Sequence, residues 1–192
     1  MKNNLFFAPL LAIGLSFLST CTPSEQGQAQ PMDDIESYFF NLDCYIKKEL
    51  NKLAAAGEVK KIVEINGHRE ERLISNLDFS KELASFSDAD INRLAWKDKY
   101  QVDSVFNTEG ELLKIRHIAL DKDMRTQFLS ISFQNELVDS IFIRNEINGF
   151  ATKNTKEMIY VANTGYSIKS NQQTLIGSAK HISVEVSFSN AE

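Results

Sequence analysis

Proline is nearly missing from this 192-residue chain. Pro9, Pro23 and Pro31 are all there are, and none follows Pro31. Proline interrupts helices and sheet ladders, so the remainder is free to form regular elements joined by Gly and Asn turns. Cysteine is as scarce: Cys21 and Cys44 stand alone, too few for a disulfide scaffold or a cysteine-rich metal site. His68, His117 and His181 are scattered, without the close pairing of zinc ligands, and read as surface imidazoles. Nucleophile motifs and phosphate-cradling glycine loops are missing too. The sequence therefore assigns no catalytic, cofactor-binding or metal residue and predicts a non-enzyme. Basic charge is in deficit, 21 Lys and Arg against 26 Asp and Glu. A mildly acidic chain is a poor partner for nucleic acid or for anionic lipid head groups.

Long apolar runs are missing with one exception. Leu5 to Leu18 is apolar apart from Pro9, Gly14 and Ser16, and Lys2 precedes it. It is too short to span a bilayer and has the length of a secretory h-region. Leu18-Ser19-Thr20-Cys21 follows. This segment resembles the signal peptide and lipobox of bacterial lipoproteins, with Thr20 departing from the usual Gly, Ala or Ser. The resemblance implies cleavage after residue 20, lipidation of Cys21 and a membrane anchor through that lipid. Residues 1–20 are then a signal peptide, 21–32 the lipidated Cys and a disordered Pro-, Ser- and Gln-rich tether, and 33–192 a single domain. Lys2 is the one charge lost, which leaves a net charge of −6. Thr22 is not the Asp associated with inner-membrane retention, which favours the outer membrane.

The domain reads as α+β. A long helix is predicted from Asp34 to Ala56, with Asp33 and Glu36 as a capping box and Gly57 as the stop. Ile35, Tyr38, Phe39, Leu42, Ile46 and Leu53 would form its apolar face, and Phe40 with Cys44 a weaker stripe. Asn66-Gly67 between β-prone runs predicts a hairpin. Asp78 caps a short helix through Phe86, and Ser87 with Asp90 opens another turn before Trp96, which would plug the core. From Tyr100 onward the chain reads as a β-meander. Phe106–Ile115, Phe133–Ile141 and Val161–Ile168 each run strand, polar turn, strand. Ile182, Val184, Val186 and Phe188 alternate with polar residues, so one sheet face is dry. About eight curved strands under the long helix would make a half-barrel, a plan shared with lipoprotein carriers.

Further blocks carry a second resemblance. Asp78–Leu83, Ala89–Asn92, Ala95–Tyr100, Val102–Ser104 and Gly165–Lys169 resemble blocks of small uncharacterised lipoproteins of Gram-negative envelopes. That implies a shared fold and transfers no functional residue beyond Cys21. Three motifs have plainer explanations. Asp88, Asp90 and Asn92 mimic half an EF-hand loop, but Arg93 and Lys99 occupy the positions of its Gly and Glu. Asp98 and Asp103 flank Tyr100 and could bring two carboxylates together, or simply begin a surface strand. His68–Arg72 is a mixed-charge run suited to a solvated edge. Two functions remain. One is a binding or assembly module for an envelope protein; the alternative is a carrier or sensor of a hydrophobic ligand beneath the helix. The oligomeric state stays open.

Overall fold

The computed structural model describes residues 38–188. They form one open, antiparallel, nine-stranded sheet with short helices on one face. The elements are α1 (Leu42–Leu53), β1 (Val59–Ile65), β2 (His68–Ile74), α2 (Phe79–Glu82), α3 (Ala84–Ser87), a 3-10 turn at Leu94–Trp96, and β3 to β9. The last seven are Tyr100–Phe106, Leu112–Ala119, Thr126–Gln134, Leu137–Asn148, Thr152–Val161, Gly165–Thr174 and Lys180–Phe188. The spatial order is β2-β1-β9-β8-β7-β6-β5-β4-β3. The meander is therefore closed at one side by the first hairpin, which adds to β9.

This corrects the expected α+β half-barrel under a long helix. The chain is mostly sheet, and the helix opens at Leu42, where the Asn41 side chain accepts the Cys44 N–H at 2.9 Å. It stops at Leu53, before Gly57. Asp33, Ile35 and Glu36 lie outside the described residues. Twelve residues at ~1.5 Å each span about 18 Å. Nine strands spaced ~4.8 Å apart are about 38 Å wide, so α1 cannot cross the sheet. Its cover is shared with Phe79 of α2, Leu83, Phe86 of α3, Ala89, Ile91 and the pre-helical Phe39, all buried. Tyr38, expected on the buried face, is exposed, and Phe40 packs tilted against Tyr45.

Strand alternation sets the core. One row runs Ile131, Ile141, Tyr160, Tyr166, Val186 across β5 to β9, and the next runs His117, Leu129, Ile143, Met158, Ile168, Val184 from β4. Leu42, Ile46, Leu83 and Phe86 pack onto these rows, each fully buried. Burying a side chain of this size stabilises by about 1.5–3 kcal/mol. The three meander hairpins and the Asn66-Gly67 turn form as expected, Asn66 and Gly67 both at positive φ. The sheet edge β2 carries the charged run Arg69–Arg72, fully solvated. Trp96 only borders the core, with the Arg93 guanidinium 4.5 Å above its ring.

Candidate functional site

Between helices and sheet, two similar polar clusters interrupt the apolar packing. Glu49 projects from α1 and is 3% exposed. Its carboxylate accepts the Tyr160 hydroxyl at 2.7 Å and pairs with Lys52 at 2.5 Å. Glu82 at the end of α2 accepts the Tyr166 hydroxyl at 2.6 Å and pairs with Lys61 of β1 at 2.5 Å. Tyr160 and Tyr166 face each other across β7 and β8, and Phe86 meets both rings edge-on. Burial, reinforced by the bonded carboxylates, pushes both phenols far above their ordinary pKa. Both phenols donate to these carboxylates. The arrangement fastens α1 and α2 to neighbouring strands.

The space under α1 is filled. Leu42, Ile46, Met158 and Tyr160 have no solvent exposure. A cleft of about 330 Å³ lies instead beside the C-terminal half of α1, between it and residues 75–80. It is open, and Ser75, Asn76 and Asp78 line it along with Leu50 and Leu53. A smaller depression of about 150 Å³ on the opposite sheet face gathers Glu64, Glu157, Lys169 and His181. His181 sits 2.7 Å from the Asn171 side-chain oxygen there. Among the described residues, no group of three or more His, Cys, Asp or Glu is arranged to hold a metal.

The remaining sequence candidates separate. Cys21 lies outside the described residues. Cys44 is half-buried on α1. Asp103 points away from the core and pairs with Arg116 at 3.1 Å, whereas the Tyr100 hydroxyl turns inward to the Thr126 carbonyl at 2.9 Å. Tyr100 and the two flanking carboxylates thus build no common site. Asp90 accepts the N–H of Asn92 locally and, across the fold, that of Asp43 in the first turn of α1 at 3.3 Å. Burial raises its pKa.

His117 overturns its surface reading. It is 2% exposed, and neither ring nitrogen has a hydrogen-bond partner. Phe39 packs edge-on against it at 5.4 Å. Desolvation pushes its pKa down to about 4. Periodicity held the clue, because Ile115, His117 and Ala119 share one face of β4.

The loop end of the sheet escaped sequence reading altogether. Phe150 in the β6–β7 loop and Leu175 and Ile176 in the β8–β9 loop are 98%, 71% and 94% exposed. The two loops touch, the Leu175 N–H donating to the Ala151 carbonyl at 3.1 Å. Comparison with protein-family models, with curated proteins and with solved structures found no match.

Proposed function

We propose that this chain is a lipid-anchored envelope protein whose domain is a non-enzymatic binding module. The observation that supports it is the apolar tip of Phe150, Leu175 and Ile176, exposed on two touching loops of a domain whose interior is packed. Clustered exposed apolar groups mark interaction surfaces. Anchoring rests on the lipobox-like Leu18–Cys21, with the outer membrane as the favoured location. The alternative, a carrier of a hydrophobic ligand, keeps one observation in its favour, the 330 Å³ cleft beside α1. Ligand pockets of that size are usually enclosed and mainly apolar; this one is open and partly polar.

Metabolic labelling with a fatty-acid precursor tests the anchor. The wild-type chain takes up label and Cys21→Ala does not; labelling of the variant rejects lipidation at this position. Native mass spectrometry of the full chain tests the module. A protein carrying only its covalent acyl chains fits a binding module, whereas an additional stoichiometric lipid mass moves the function to carriage.

A further inference from the structure

Phe150, Leu175 and Ile176 form a projecting point rather than a flat patch. β5 begins at Thr126, opposite Asn145, while β6 continues to Asn148, where it still pairs with Lys153 of β7. The β6–β7 hairpin thus extends three residues further, roughly 10 Å of strand. Thr152 pairs with Thr174 at its tip, which holds the β8–β9 loop alongside. The charge here departs from the acidic average. No Asp or Glu occurs from Ile147 to Lys156 or from Ser170 to His181, while Lys153 and Lys180 are exposed in these stretches. The tip is apolar at its point, with Lys153 and Lys180 next to it and the first carboxylates, Glu146 and Glu157, further back.

We propose that this tip inserts into the interface of a phospholipid bilayer carrying anionic head groups. This rests on the reading of the tip as a binding surface but not on the acyl anchor. A narrow apolar point with a basic collar suits the boundary between head groups and acyl chains. A stable protein partner would instead need about 800 Å² of complementary surface on each side. The chain also enters the domain at this end of the sheet. Tyr38 donates its N–H to Asn92, and Phe39 stacks edge-on against Tyr100 at the start of β3. An anchored tether and the tip can therefore face one membrane together.

The test is fluorescence quenching by lipids brominated in their acyl chains. The full chain is reconstituted in vesicles of phosphatidylcholine and phosphatidylglycerol. One protein carries Trp96→Phe and Phe150→Trp; a control carries Trp96→Phe and Asn163→Trp, at the opposite end of the sheet. Insertion to the depth of interfacial helices predicts about twofold quenching or more at position 150 and none at 163. Lys153→Glu with Lys180→Glu should reduce the quenching. Equal quenching at both ends, or none at 150, overturns the proposal. A retained protein without quenching at 150 leaves the tip to a protein partner and the binding module intact. Quenching at 150 in a chain without acylation at Cys21 keeps the lipid contact and removes the anchor.

Discussion

Acid should weaken this fold through His117, and the size of the effect follows from its surroundings. The imidazole is 2% exposed, meets Phe39 edge-on, and lies opposite Leu129 and Val102 in register. No carboxylate bonds to it, so burial alone acts, and it disfavours the charged form. Its pKa falls from 6.5 to about 4. Above pH 6.5 the ring is neutral in both folded and unfolded chains and costs nothing by linkage. Below 6.5 the unfolded chain binds a proton that the folded chain refuses, so stability falls with pH until about 4. The full loss is about 3 kcal/mol, and most of it is reached by pH 4.5. Of two other shifted carboxylates, one acts below this window and one acts against His117 within it, in wild type and variant alike. Asp78, held down to about 2 by Ser80 and Lys81, contributes stability that is lost only below its ordinary value of 3.8. Asp90 is raised by burial and acts in the opposite sense. The comparison is urea unfolding of the wild type and His117→Leu at pH 7.5 and 4.5. The stability gap should widen by about 2–3 kcal/mol in favour of the variant at the lower pH. Parallel pH profiles, or an NMR titration of His117 near 6.5, would refute the argument.

Three further outcomes follow from particular contacts. A Cβ on Gly165 would stand 2.1 Å from the Val186 carbonyl oxygen, at φ +154; Gly165→Ala should cost about 2–3 kcal/mol in thermal unfolding, far more than Gly57→Ala at an open position. Tyr160→Phe removes a donor from a carboxylate that is 3% exposed and should cost about 1.5–3 kcal/mol. Tyr166→Phe should cost less, because Glu82 is 20% exposed; the reverse order in urea unfolding would count against the two clusters as latches. At the loop tip, Phe150→Ser should leave the unfolding midpoint unchanged, since the ring buries almost nothing, and a large drop would mean that it packs.

The strands were legible because alternation is local. Ile182, Val184, Val186 and Phe188 lie on the covered face as their spacing requires, and Asn66-Gly67 turns as its chemistry requires. The helix was misjudged at its ends because apolar periodicity does not mark termini. Asn41 captures the Cys44 N–H and fixes the start, and Phe39 reaches Tyr100 and His117 from outside the helix. Val102–Phe106 and Val138–Phe142 share the pattern Val-Asp-Ser, an aliphatic residue, then Phe, yet they face differently. Alternation from Tyr100 and Val102 leaves Val105 on the uncovered face, opposite Lys114, whereas an extra residue in β6 between Val138 and Ser140 changes the alternation before the counterpart Ile141, which is fully buried. Sequence spacing cannot see which strand bulges.

The loop end was invisible for another reason: its meaning depends on proximity between loops far apart in the chain. Phe150 and Ile176 are ordinary when read singly, since lone exposed apolar residues are common. Only the pairing of Thr152 with Thr174 brings them together. The same holds for charge. A net of −5 over the chain argues against anionic surfaces only if charge is spread evenly. Here the two touching loops hold no acidic residue, whereas Glu64 of the first hairpin and Asp121 and Asp123 of the β4–β5 loop lie at the same end of the sheet but outside those loops. The tip keeps Lys153 and Lys180. Attraction near a surface decays within a Debye length of about 8 Å at physiological salt. A bilayer touching the tip would therefore sense the lysines of its own two loops before the charges of neighbouring loops, and local charge rather than the total decides whether this end approaches it.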